Sequence, residues 1–162
     1  MVKKISPETR LKELGITLDK ATPPAANYIS ARRDGSRLYL SGKAPLYPDG
    51  RRSTGKVGED VSIEEAYKDA RQAGLNLLAT LRNEIGSLDK VDYVIKLLGF
   101  VNGAPDFYDH SKVIDGCSDL LVEVFGENGR HARTAIGVGS LPNNITVEVE
   151  LVVRFKNGGP MC

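Results

Sequence analysis

Two hydrophobic periods alternate along the chain, and the switches between them mark out its elements. From Ser62 to Ile85, the residues Ala66, Ala70, Ala73, Leu77, Leu81 and Ile85 recur at steps of three and four, the spacing of one helical face. Ser62-Ile-Glu-Glu65 in front of them is a capping-box pattern, and Gly86 supplies the stop. The small residues early on this face, with Gly74 beside them, predict a helix lying close against a sheet. A second helix is expected from Ser111 to Phe125, with Ile114, Cys117, Leu121 and Val124 on one side and Gly126 at its end. Near the C-terminus the period becomes two. Ile145, Val147, Val149, Leu151, Val153 and Phe155 alternate with Thr146, Glu148, Glu150, Val152 and Arg154, which predicts a strand buried on one face.

Turn and cap signals fill in the remainder. Ser6-Pro7 opens a short helix that Gly15 can end. Pro23-Pro24 forbids helix. The segments Tyr28 to Arg33 and Leu38 to Ser41, joined at Asp34-Gly35, predict a hairpin. Residues 45–60 are rich in Pro, Gly and charge and read as a loop, and Val91 to Val101 reads as a strand that Asn102-Gly103-Ala104-Pro105 breaks. Residues 129–155 read as two strands joined at Leu141-Pro142-Asn143-Asn144. The order ββαβαββ implies an α+β fold, a mixed sheet with two main helices on one face. Residues 1–162 are expected to form one domain, with an N-terminal extension over 1–24, a core over 25–156 and a tail over 157–162. On this reading Arg133, Ala135, Gly137 and Gly139 point to the open face from one strand, and Glu148, Glu150 and Val152 from its neighbour. Another subunit is expected to cover that face.

Charge narrows the functional classes. The net charge is +1, with no basic stripe, which disfavours nucleic acid as a partner. No apolar run approaches the ~20 residues needed to cross a bilayer, and the N-terminus lacks the apolar region of a signal peptide. The two cysteines, Cys117 and Cys162, suggest no disulfide framework, and no Cys/His cluster has zinc spacing. A reducing, cytoplasmic setting is expected. Phosphate-loop, dinucleotide and nucleophile-elbow motifs are absent.

Candidate chemistry centres on the C-terminal stretch. Arg133, at the head of a run of small residues, offers a planar fork suited to a carboxylate, or else an ion pair with Glu148 or Glu150. Glu148 and Glu150 share one strand face, where a carboxylate in a partly dry pocket can orient water or move a proton, unless the two simply form ion pairs. His131 lies two residues from Arg133 and can point the same way, and His110 precedes the second helix; both read as surface or capping residues. From spacing alone, these residues amount to a possible carboxylate-binding groove.

Arg133-Thr-Ala-Ile-Gly-Val-Gly-Ser-Leu-Pro-Asn-Asn-Ile-Thr-Val-Glu148-Val-Glu150 resembles the C-terminal signature of the RidA/YjgF family. Tyr28 ahead of the first strand, Leu40-Ser-Gly42-Lys-Ala-Pro45, and Ala70-Arg-Gln72-Ala73 with Asn76-Leu-Leu78 resemble that family's other anchors, in order. The resemblance covers about residues 25 to 155. It implies a chorismate-mutase-like fold, a homotrimer with sites between subunits, and hydrolysis of enamine or imine intermediates such as 2-aminoacrylate to 2-keto acids and ammonia, with no cofactor. It also implies site roles: Arg133 for the substrate carboxylate, Glu148 for the attacking water, Tyr28 and the backbone at Gly42 for the cleft. Ala135 takes a position often held by cysteine, and Asp115 falls near one often held by asparagine. Lys43 replaces the usual glutamine, and the region from Asn102 to Arg133 is longer than in compact members. Some relatives are described as endoribonucleases or translation inhibitors. A non-catalytic trimeric binding module is a third possibility.

Overall fold

The computed structural model describes residues 5–156. The expected 157–162 tail and Cys162 lie outside the described residues. Helix α1 (Pro7–Glu13) is capped by Ser6, whose hydroxyl accepts the Thr9 amide. Next come β1 (Ala31–Asp34), β2 (Arg37–Lys43), α2 (Ile63–Ile85), β3 (Val91–Asn102), α3 (His110–Phe125), β4 (Ala132–Val138) and β5 (Val147–Phe155). The expected boundaries hold closely. Ser62 and Glu65 close a reciprocal capping box on α2, and Gly86 ends it in the left-handed conformation, φ 83°. The first strand is shorter than expected, starting at Ala31, because the chain bends before it, with the Tyr28 amide donating to the Ala26 carbonyl at 2.9 Å.

The five strands form one mixed sheet in the order β1-β2-β5-β3-β4. This corrects the expectation that the last two strands are neighbours. β4 runs parallel to β3, and α3 makes the crossover that a parallel pair requires. β5 instead inserts antiparallel between β2 and β3. The physical reason lies in composition. β5 has an unbroken inward row (Val147, Val149, Leu151, Val153, Phe155), all buried, and suits the centre of the sheet. β4 is poor in large apolar side chains and stays at the edge.

Register assigns each residue a face. Leu97 pairs with Arg133 on one side and Leu151 on the other, and Gly99 with Ala135 and Val149. Leu97, Val149 and Leu151 are buried under the helices. Arg133, Ala135 and Gly137 therefore face the helices, not the open side as the pattern had suggested. The open face carries Phe100 between Ile136 and Glu148, and Leu98 between Thr134 and Glu150. Lys96 donates to the Thr134 hydroxyl across it at 2.9 Å.

Under the sheet, α2 contributes Ala66, Ala70, Ala73, Leu77 and Leu81, and α3 contributes Ile114, Cys117 and Leu121, all buried. The two helices approach so closely that a Cβ at Gly116 would overlap the Tyr67 carbonyl. Only glycine permits that crossing. Burial pushes the Cys117 thiol up to about 12, so it behaves as an inert core residue.

Candidate functional site

The residues nominated by sequence fall into two groups on opposite faces of the sheet. Tyr28, Gly42 and Glu148 line one cleft of about 470 Å³, together with Ser41, Lys43, Asn76 and Asn143. Its walls come from the segment before β1, the far end of β2, the turn before β5 and β5 itself.

Local chemistry explains why the cleft exists. The register between β2 and β5 slips between Leu40 and Lys43, which opens the ladder there. Gly42 sits in that irregularity, and a Cβ on it would overlap the Glu148 carboxylate. Its missing side chain is the space that Glu148 occupies. The segment after β2 is held off by α2. Asn76 Nδ2 donates to the carbonyls of Ala44 and Leu46, both at 3.0 Å, and Gln72 Nε2 donates to Leu46 at 2.8 Å. These two side chains, recognised in the sequence only as anchors, fix the rim of the cleft. On the other rim Asn143 adopts φ 55° in the turn ahead of β5. Tyr28 stands at the mouth, 49 % exposed.

Glu148 is half-buried and accepts no hydrogen bond among the described residues. Burial, and then the neighbouring Glu150 charge, push its carboxyl above the ordinary range. A carboxyl in that state holds and releases protons nearer neutrality than an exposed one.

The second group lies at the β4 edge, against α3. Arg133 Nη1 donates to Asp115 Oδ1 at 2.7 Å and to Ser118 Oγ at 3.1 Å. The ion pair considered from sequence is thus made to Asp115, not to Glu148 or Glu150. Ser118 Oγ, having accepted from Arg133, is left to donate to His131 Nε2 at 3.1 Å, while His131 Nδ1 donates to the Gly129 carbonyl at 2.6 Å. That chain requires a neutral imidazole. Burial first, and the Arg133 charge as well, lower the His131 pKa accordingly. Nε and Nη2 of Arg133 make no hydrogen bond among the described residues. One edge of the guanidinium is braced and the other is open. Ala135 follows on the same face, partly buried.

Sequence reading missed Ser118, and it missed Asp69. Asp69 is 3 % exposed on α2 and accepts from Tyr47 Oη at 2.7 Å, Ser53 Oγ at 2.6 Å and Thr146 Oγ1 at 2.8 Å. The signal was present. Asp69 lies three residues after Ala66 and four before Ala73, so it falls on the apolar stripe, where a carboxylate must find partners. Its hydrogen bonds tie the 47–53 loop to the start of β5. No group of three or more His, Cys, Asp or Glu side chains able to hold a metal occurs among the described residues. No described helix is long and apolar enough to cross a membrane.

Comparison with known proteins places this architecture. Residues 8–155 match the family described as "YjgF/chorismate mutase-like, putative endoribonuclease". The chain is 41 % identical to protein TCP17 of Trypanosoma cruzi, over 91 % of this chain and 92 % of that protein. A crystal structure from Shewanella oneidensis MR-1, named a "putative endoribonuclease", superposes with a TM-score of 0.89 at 34 % identity, covering 93 % of this chain and 99 % of that one. A 2-iminobutanoate/2-iminopropanoate deaminase of Dermatophagoides farinae is 27 % identical over 87 % of this chain and 95 % of its own. The family match begins at residue 8, within α1.

Proposed function

The chain belongs to the YjgF/RidA family, and from that premise we propose that it hydrolyses reactive imines of 2-keto acids to the keto acid and ammonia. The observation that carries this reading is Glu148, a carboxyl of raised pKa in a cleft where Gly42 makes room for it. The mite relative named as an iminobutanoate and iminopropanoate deaminase supports the same chemistry.

In the proposed reaction Glu148 takes a proton from a water as its oxygen adds to the imine carbon. That proton passes to nitrogen to give a carbinolamine. Glu148 then takes the hydroxyl proton and delivers it to the same nitrogen, so that the C–N bond breaks, ammonia leaves and the carbonyl forms. General acid–base help of this kind contributes ~10²–10⁴ in rate. Arg133 is the proposed fork for the substrate carboxylate, through the Nε and Nη2 edge left open beside Asp115 and Ser118.

Arg133 and Glu148 lie on opposite faces of one protomer's sheet. We therefore infer a homotrimeric ring in which Arg133 of one copy meets the Glu148 cleft of the next. A heterologous interface repeated around a three-fold axis closes such a ring.

The test generates imines with an amino-acid oxidase, lets semicarbazide compete for them, and reads the suppression of semicarbazone. Wild type is expected to suppress it, and Arg133→Ala and Glu148→Gln each to lose at least about a hundredfold in rate. Unfolding and refolding the two variants together is the sharper test. Random mixing puts an intact arginine opposite an intact glutamate in about a quarter of the sites. Recovery near that level supports a site shared between copies. Absence of recovery from well-formed mixed trimers would overturn the shared site. Absence of suppression by wild type would overturn the deaminase reading.

A further inference from the structure

The cleft holds a positive charge that neither the fold nor the proposed hydrolysis uses. Lys43 is 8 % exposed, and its ammonium makes no hydrogen bond and no ion pair among the described residues. It enters the cleft at the slipped register of β2, where its backbone pairs with Val149. A lysine commonly keeps its ammonium in water by extending along the surface. Lys43 is more confined, its stem buried in the cleft while the ammonium still reaches water. An ammonium in a partly dry cleft, with no protein partner among the described residues, is placed to receive an anion. Burial is the cause of its lowered pKa, and no carboxylate offsets it.

Arg52 lines the same cavity. Its neighbour Arg51 is engaged, paired with Asp49 and lying over the Tyr47 ring, whereas Arg52 makes no ion pair among the described residues. Among the described residues, the charged side chains of the cleft are therefore two cations and a single carboxylate, Glu148. A cavity of about 470 Å³ is large enough for a small dicarboxylate beside the reacting carbon.

We propose that Lys43, assisted by Arg52, binds a second acidic group on the substrate, so that the preferred imines are those of dicarboxylic amino acids. This rests on the deaminase reading for the reaction and on the unpartnered cations of the cleft for the substrate class. The distal acid takes no part in bond making. Its role is to seat the chain of the substrate while C–N hydrolysis proceeds as above.

Binding and turnover separate the two claims. The full chain would be titrated calorimetrically with 2-oxoglutarate and with 2-oxobutanoate, in wild type, Lys43→Gln and Arg52→Gln. Wild type is expected to bind the dicarboxylate at least about tenfold more tightly, roughly the worth of one charge-assisted contact. In Lys43→Gln that ratio is expected to collapse toward one, and in Arg52→Gln to shrink. Removing an uncompensated charge is expected to leave the thermal midpoint of Lys43→Gln equal or higher. Should that variant fail to fold, Arg52→Gln and the wild-type ratio still decide.

Equal wild-type affinities would overturn the proposal, as would a preference that both substitutions leave intact. In the oxidase assay, the imine of glutamate should then be hydrolysed faster than that of 2-aminobutyrate. Hydrolysis of neither, with the Lys43-dependent preference in place, would overturn the deaminase reading and uphold the anion site. Hydrolysis of the apolar imine alone would overturn the substrate class and uphold the deaminase.

Discussion

Asp69 and Glu148 are both carboxylates drawn out of water, yet their surroundings differ in kind. Asp69 is almost wholly buried and accepts hydrogen bonds from three hydroxyls. Glu148 is half-buried, accepts none among the described residues, and stands beside another carboxylate that pushes its pKa further up. A fully bonded buried acid holds structure together, since every donor it satisfies would otherwise be left without a partner. An acid left unbonded in a cleft raises the free energy of the resting protein, and that arrangement suits a group whose partner is the reactant. The difference separates a brace from a reactive site within one domain.

The largest effect that would break the comparison is on stability. Asp69→Ala strands three hydroxyls at roughly 1 kcal/mol each, so unfolding in urea should show a loss of about 3 kcal/mol. Asp69→Asn keeps one acceptor and should lose less than half of that. A loss below about 1 kcal/mol for the alanine variant would show that Asp69 braces nothing.

A middle-sized effect tests the cleft itself. Gly42→Ala puts a Cβ where the Glu148 carboxylate lies. Because that carboxylate is the end of a flexible side chain, it can swing aside at a stability cost under about 1 kcal/mol. Imine hydrolysis should nevertheless fall by about tenfold or more, because a displaced acid no longer meets the water. Unchanged turnover would remove Glu148 from the position assigned to it.

The smallest effect is the pH dependence of stability. The folded protein holds the Glu148 proton more tightly than the unfolded chain does, so this group lowers stability as pH rises from the ordinary glutamate value through the raised one. Glu148→Gln never ionises. It should therefore match wild type below that interval and exceed it above, by a Tm difference on the order of 1–2 °C given the partial exposure. Greater stability at acid pH only would reverse the sign and contradict the burial argument.

The elements could be read from the chain because local physics decides them. The stripe from Ala66 to Ile85 has one helical solution, and the Ser62 box and Gly86 stop are satisfied within a few residues of chain. The alternation from Val147 to Phe155 likewise has one buried face. The six candidate site residues came from the family signature, which is dense around them, and the fold gathers Tyr28, Gly42 and Glu148 in one cleft.

Tertiary structure alone decided which strand lies beside which. Nothing local distinguishes a hairpin at Leu141 to Asn144 from a strand that passes β4 by and inserts between β2 and β3. That choice depends on the whole sheet, which gives its centre to the most apolar strand. From it follows the face on which Arg133 emerges, because each place of register moves a side chain to the opposite side. The same pairing put Arg133 against Asp115 and Ser118 and left Lys43 without a partner. Long-range register is what turned a list of candidate residues into two half-sites on opposite faces.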